Sequence, residues 1–201
     1  MPYYKLTYFN LRGRAEIARY IFAFSGIKYE DNRIGRMDWL TIKPSIPFGK
    51  LPFLEVDGII LHQSLAIGRY LAKETGLAGK THLEQAQVDG IVDSIDDFIS
   101  LFPWGEQDQD VKQEIQNNLF SNLAPELLQH LENYLGEKDW FVGNSVTWAD
   151  FYWDVCSTTL IVLNPNFAQN FSKLLALKNR VQTLPGISEW IKNRPETINS
   201  L

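Results

Sequence analysis

Residues 47–64 read Pro47-Phe-Gly-Lys-Leu-Pro52-Phe-Leu-Glu-Val-Asp57-Gly58-Ile-Ile-Leu-His62-Gln-Ser64. Two short apolar runs, Phe53–Val56 and Ile59–His62, flank Asp57-Gly58, a dipeptide that accepts the positive φ of a tight hairpin turn. Leu51-Pro52 stands just before the first run. X-Pro is almost the only bond that takes the cis form, and this one is suited to it. Gln63-Ser64 follows the second run and opens a segment that reads as a helix over Ser64–Glu74, ending before Gly76. The stretch is a β-hairpin that runs into a helix.

Toward the N-terminus, Tyr4, Leu6 and Tyr8 alternate with Lys5 and Thr7 as in a strand with two unlike faces. Arg14 to Phe24 carries Ile17, Tyr20, Ile21 and Phe24 at helical spacing, and Gly26 stops it. Residues 28–34 read as a second strand. The order is β-α-β, a variable segment, then β-β-α, the arrangement of a thioredoxin-like domain. After Gly76-Leu-Ala-Gly79 the strand signals largely vanish, and residues 83–102, 110–135, 148–163 and 172–192 are helical in period. Pro103 and Pro125 bend or end these runs. Thr147-x-x-Asp150 is a capping-box variant, and Val146 and Phe151 stand where a hydrophobic staple belongs. The expected fold is an α/β thioredoxin-like domain over 1–78 and an all-α domain over 79–201.

Composition narrows the function. A net charge of -5 over 201 residues argues against a nucleic-acid surface. No apolar run approaches the ~18 residues of a membrane span, so no integral membrane association is expected. The first residues show no basic region followed by a long apolar run. The single cysteine, Cys156, has no partner for an internal disulfide, which suits a cytoplasmic location.

Redox members of the thioredoxin-like fold place a cysteine just before the first helix. Residues 8–14 here, Tyr-Phe-Asn-Leu-Arg-Gly-Arg, contain none, so any thiol chemistry acts on a thiol brought by a ligand. A free thiol with a pKa of about 8.5 is mostly protonated at neutral pH. A phenolic O–H bonds the thiolate better than the thiol and so lowers that pKa. Tyr8 is the candidate donor, and Arg14 can bring positive potential to it. Alone, Tyr8 reads as a core tyrosine and Arg14 as a solvated arginine at a helix start. The motifs downstream turn both toward a site.

The segments Tyr8–Arg14, Pro47–Pro52, His62–Tyr70, Ser94–Trp104 and Asn144–Thr159 resemble cytosolic glutathione transferases, most nearly the sigma class. The resemblance runs from residue 2 to about residue 197 without a large gap. It implies catalytic roles for Tyr8 and Arg14. It also implies that the Leu51 backbone pairs with the cysteinyl unit of glutathione, and that Gln63 and Ser64 hold the γ-glutamyl carboxylate at a helix N-terminus. Trp39, Lys43 and Lys50 match positions around the glycyl carboxylate, and Gly49 and Pro52 belong to the same glutathione-binding set. Alone, Gln63-Ser64 is an ordinary N-cap and the lysines are surface residues.

Asp93, Asp96 and Asp97 fall at i, i+3 and i+4, hence on one helix face. They read either as a solvated acidic face or as oxygen ligands of a hard divalent ion. The resemblance puts this face at the axis of a homodimer, where two copies of Asp96 share Mg²⁺ or Ca²⁺ through water and Asp97 reaches the neighbour's glutathione. Phe9, Leu11, Gly13, Ile99, Trp104, Tyr152, Cys156 and Thr159 match positions lining a cleft for the second substrate, a lipid or electrophile. Several of them serve equally well as helix-packing residues. Leu11 and Ile99 replace methionines of mammalian members, and the tail 196–201 differs. The implied activity is isomerisation of prostaglandin H2 to prostaglandin D2 without consumption of glutathione. General conjugation of glutathione to electrophiles is the alternative. A non-catalytic, lens-crystallin-like or ligand-binding protein is another; such crystallins carry a long insertion between the fourth and fifth helices, where Gly105–Asp110 is short here.

Overall fold

The computed structural model describes residues 2–197; of the divergent tail, residues 198–201 lie outside the described residues. Strands are β1 (Tyr4–Phe9), β2 (Glu30–Ile34), β3 (Phe53–Val56) and β4 (Ile59–His62). Helices are α1 (Glu16–Ser25), α2 (Arg36–Ile42), α3 (Ser64–Glu74), α4 (His82–Ser100), α5 (Gln109–Asn118), α6 (Ala124–Leu135), α7 (Trp148–Leu163), α8 (Ser172–Gln182) and α9 (Pro185–Asn193). The chain divides into two compact units, residues 1–78 with 183–201, and residues 79–182.

The first unit is built on a sheet of order β2-β1-β3-β4. β1 runs parallel to β2, with Tyr8 opposite Arg33, and antiparallel to β3, with Leu6 opposite Leu54. The β3–β4 hairpin pairs Phe53 with His62 around Asp57-Gly58, as the turn dipeptide predicts. Leu6, Ile17, Ile21, Leu54, Ile67 and Leu71 form the buried core between sheet and helices. Gly26 caps α1 in the left-handed region, its N–H donating to the Phe22 carbonyl. Arg14 belongs to a 3-10 turn, Gly13–Ala15, that precedes α1 rather than to α1 itself. α2 lies in what the sequence shows only as a variable segment. Among its residues only Trp39 is buried, so it carries no amphipathic period to read.

The second unit holds α4 to α8. The periodic run 110–135 is interrupted by one π-helical stretch, Leu119–Leu123. Pro125 sits in the first turn of α6, where a missing N–H is harmless. The run 172–192 is two helices, broken at Leu184-Pro185. The sequence reading runs the helical domain to 201; of the described residues, 183–197 group with the first unit. The bonds responsible join α9 to α1: Trp190 Nε1–H and Arg194 donate to Glu16 at 2.8 and 3.0 Å. α7 begins at the capping box. Asp150 is buried and accepts from the Phe141 N–H at 2.9 Å, the Thr147 N–H at 2.7 Å and the Thr147 hydroxyl at 3.0 Å. Burial pushes its pKa up to about 6, against the pull of those bonds.

Both oxygens of Asp150 face donors, so an amide NH₂ cannot replace either without meeting another N–H. Asp150→Asn should therefore lower stability by about 1–3 kcal/mol, the usual cost of a buried unpaired donor, read from urea denaturation at neutral pH.

Candidate active site

β1 delivers Tyr8 to the turn that leads into α1. A Cβ added to Gly13 (φ +41°) would stand 2.8 Å from the Tyr8 hydroxyl oxygen. The ring therefore lies directly on this backbone, and the close approach needs glycine. Burial raises the Tyr8 pKa; the Arg14 backbone N–H, which donates to the phenol oxygen, and the charges of Arg14 and Arg19 oppose that rise. With the balance upward, the phenol keeps its proton at neutral pH and remains a hydrogen-bond donor.

Of the glutathione set, Trp39, Lys43, Gly49, Lys50, Leu51, Pro52, Gln63 and Ser64 lie with Tyr8 and Arg14 in the first unit, and Asp97 lies on α4 in the second. Trp39 is buried and packs edge-on to Phe9, ring centroids 6.5 Å apart. The Lys43 stem lies against Gly49, where a Cβ would meet Lys43 Cε at 3.3 Å. Phe48 (φ 61°) stacks on His62 with centroids 4.3 Å apart, fixing the 47–49 turn to β4. Lys50 follows that turn, and Leu51-Pro52 is cis, the form the sequence suits. Gln63 holds φ 71° at the mouth of α3, and its side chain makes no cap hydrogen bond. A bulky residue held there is strained, and the ordinary N-cap reading does not account for it. Ser64 is buried at the first position of α3.

In the helical unit, Tyr152, Cys156 and Thr159 share one face of α7 at i, i+4 and i+7. The Tyr152 hydroxyl donates to Asp96 on α4 at 2.6 Å. Trp104 donates from Nε1 to the Ile99 carbonyl at 2.9 Å and stacks on Phe102. The acidic face of α4 does not make a metal centre within one chain, and the dimer-axis site that the resemblance implies needs a second copy. Among the described residues no three His, Cys, Asp or Glu groups come together to hold an ion, and one Asp96 oxygen is engaged by Tyr152.

The glutathione S-transferase N-terminal domain family matches residues 4–73, and the corresponding C-terminal domain family matches residues 93–194. The chain belongs to the glutathione S-transferase family. Within it, the chain is similar to hematopoietic prostaglandin D synthase of Gallus gallus, 64% identical over 98% of this chain and 99% of that protein. The Homo sapiens protein of the same name is 59% identical over the same shares. The solved structure of rat hPGDS complexed with a quinoline superposes with a TM-score of 0.95 at 61% identity, covering 100% of both chains. Glutathione S-transferase 1 of Ascaris suum is 43% identical over 98% of this chain and 99% of that protein.

Membership makes glutathione the cosubstrate and the thioredoxin-like plus all-helical architecture the family fold. The sequence places Gly13 in the second-substrate set, and its contact with Tyr8 is visible only in the structure. Phe48 and Arg19 also enter only with the structure. The signal for Gly13 was its place between Tyr8 and Arg14 in the transferase motif; nothing in the sequence marked Arg19.

If Tyr8 donates to sulfur, Tyr8→Phe should lose about a hundredfold or more in turnover while still binding glutathione. Gly13→Ala displaces the hydroxyl rather than removing it, and should cost about tenfold or more in kcat with little change in KM for glutathione. Steady-state kinetics on both variants checks the pair.

Proposed function

We propose that this glutathione transferase isomerises prostaglandin H2 to prostaglandin D2 and conjugates glutathione to electrophiles at the same site. The observation that carries the reading is the Tyr8 hydroxyl seated on the Gly13–Arg14 backbone, a protonated donor beside two guanidinium charges. The lipid substrate is inferred from relatives 59–64% identical over nearly the whole chain. The bound glutathione thiolate attacks the endoperoxide oxygen on C11, so that S–O forms as O–O breaks and the C9 oxygen takes a proton; loss of the C11 proton then makes the ketone, breaks S–O and returns the thiolate.

Tyr8 holds the sulfur ionised by donating its O–H, and Arg14 adds positive potential. Ser64, Gln63 and the first-turn N–H groups of α3 take the γ-glutamyl carboxylate, and the Leu51 backbone pairs with the cysteinyl unit beside Pro52. Trp39, Lys43, Gly49 and Lys50 surround the glycyl carboxylate. By their match to family positions, Phe9, Leu11, Gly13, Ile99, Trp104, Tyr152, Cys156 and Thr159 are the proposed contacts of the other substrate. A cytoplasmic homodimer completes the reading, with Asp97 of a second copy near the glutathione amine. A divalent cation, Mg²⁺ or Ca²⁺, would then need carboxylates from both copies of Asp93 and Asp96. General conjugation without the isomerase is the second reading, favoured by the 43% identity to the Ascaris transferase.

Purified protein given prostaglandin H2 should yield prostaglandin D2 only with glutathione present, and the glutathione should be recovered unchanged. The same spontaneous breakdown products with and without glutathione would reject the isomerase, and conjugation of an aryl halide under those conditions would leave the second reading. Light scattering should report twice the 23.1 kDa chain mass, and the glutathione dependence of turnover should differ between chelator and Mg²⁺. Identical curves would return the aspartates to a solvated acidic face.

A further inference from the structure

Arg19 on α1 is 0% exposed and grips the turn between β1 and the 3-10 turn at Gly13. Its Nη1 donates to the Leu11 carbonyl at 2.7 Å, the Arg12 carbonyl at 3.3 Å and Glu16 Oε2 at 3.2 Å. Its Nε donates to Asp31 on β2 at 3.1 Å. The other Asp31 oxygen accepts from Arg33 at 2.8 Å, and Arg33 Nη1 donates to the Asn10 side chain at 3.0 Å. Asn10, Leu11 and Arg12 are thus each held by one of two guanidiniums. They are the residues between Tyr8–Phe9 and Gly13–Arg14.

Arg19 is itself oriented from the far end of the chain. Glu16 is 2% exposed. One of its oxygens takes Trp190 Nε1–H at 2.8 Å and Arg194 Nη1 at 3.0 Å, and the other takes Arg19. A planar fork donates along fixed directions, so where Glu16 sits determines how Nη1 meets the two carbonyls. α9 therefore reaches the Tyr8 turn through two side chains.

We propose that Arg19 is a positioning residue for the Tyr8 hydroxyl, and that Glu16, Trp190 and Arg194 form a strap by which α9 sets its geometry. The inference rests on the reading of Tyr8 as the thiolate donor. A merely structural ion cluster would neutralise Glu16 and Asp31 equally well with no bond to the turn. The direct contact of Nη1 with two consecutive carbonyls is what the structural account leaves unused. The charges facing Tyr8 are Arg14 and Arg19. Those facing Arg19 are Glu16 and Asp31.

The test uses Trp190→Phe, which removes one N–H from the strap and keeps the ring, with Arg19→Lys, Tyr8→Phe and the double variant Tyr8→Phe/Trp190→Phe. Turnover, KM for glutathione and ultraviolet titration of the bound glutathione thiol are measured at matched folded concentration. Trp190→Phe should lower kcat by about three- to tenfold, leave KM within about twofold and raise the thiol pKa. In the Tyr8→Phe background the same change should cost less than about twofold, because the group it positions is gone. A full loss surviving in that background, or wild-type turnover and thiol titration in Trp190→Phe, would overturn the inference while leaving Tyr8 in place. Should Arg19→Lys fail to fold, the Trp190→Phe cycle decides alone. An unchanged thiol pKa in Tyr8→Phe would instead remove the Tyr8 reading, and the inference with it.

Discussion

A carboxylate taken out of water costs several kcal/mol unless its lone pairs are met by donors of matching geometry. Glu16 meets that constraint with bonds from Arg19, Trp190 and Arg194. It thereby joins the start of α1 to a helix more than 170 residues later in the chain. Much of the first unit's architecture follows. α9 must lie on α1, and it does so closely enough that a Cβ at Gly186 would stand 2.4 Å from the Ala23 carbonyl oxygen. Backbone against backbone at that distance admits only glycine. The same carboxylate fixes one side of Arg19, and Arg19 fixes the turn.

What the turn presents is a phenol under two opposing influences. Burial favours the neutral form and keeps the proton on Tyr8, while the Arg14 N–H and the nearby guanidiniums favour the phenolate. A donor to a thiolate must keep its proton yet bond strongly to negative charge. A partly desolvated phenol near fixed positive charge suits that role, the one proposed for Tyr8. The glycine beneath it is part of that arrangement, because any side chain there would occupy the place of the hydroxyl.

The helical unit shows the same economy with polar groups. Asp154 is fully buried on α7 and accepts from Lys178 at 2.5 Å and Gln182 at 2.7 Å, locking α8 to α7. Tyr152, two residues earlier, ties α7 to α4 through Asp96. A residue assigned to the lipid site and one assigned to a metal are thus one hydrogen-bonded pair. Changing either alters the other, which argues for reading the two together in any substitution series.

The sequence by itself determined the local elements. The Asp57-Gly58 hairpin, the helix over Ser64–Glu74 and α7 over 148–163 were legible because their turns, caps and periods are properties of neighbouring residues. The motif Tyr8 to Arg14, the Leu51-Pro52 turn and Gln63-Ser64 were legible as contiguous stretches that resemble the transferases, the family to which the chain belongs. α2 was not, because a mostly exposed helix needs no apolar stripe. The contact of Gly13 with the Tyr8 hydroxyl, the stacking of Phe48 on His62 and the pairing of Tyr152 with Asp96 were decided only by the tertiary structure. So was the return of α9 to the first unit, although its helical period was plain. The reason is the same in each case: these features depend on which distant side chains complete a buried polar group or a close packing, and that choice is made when the elements pack, not along the chain.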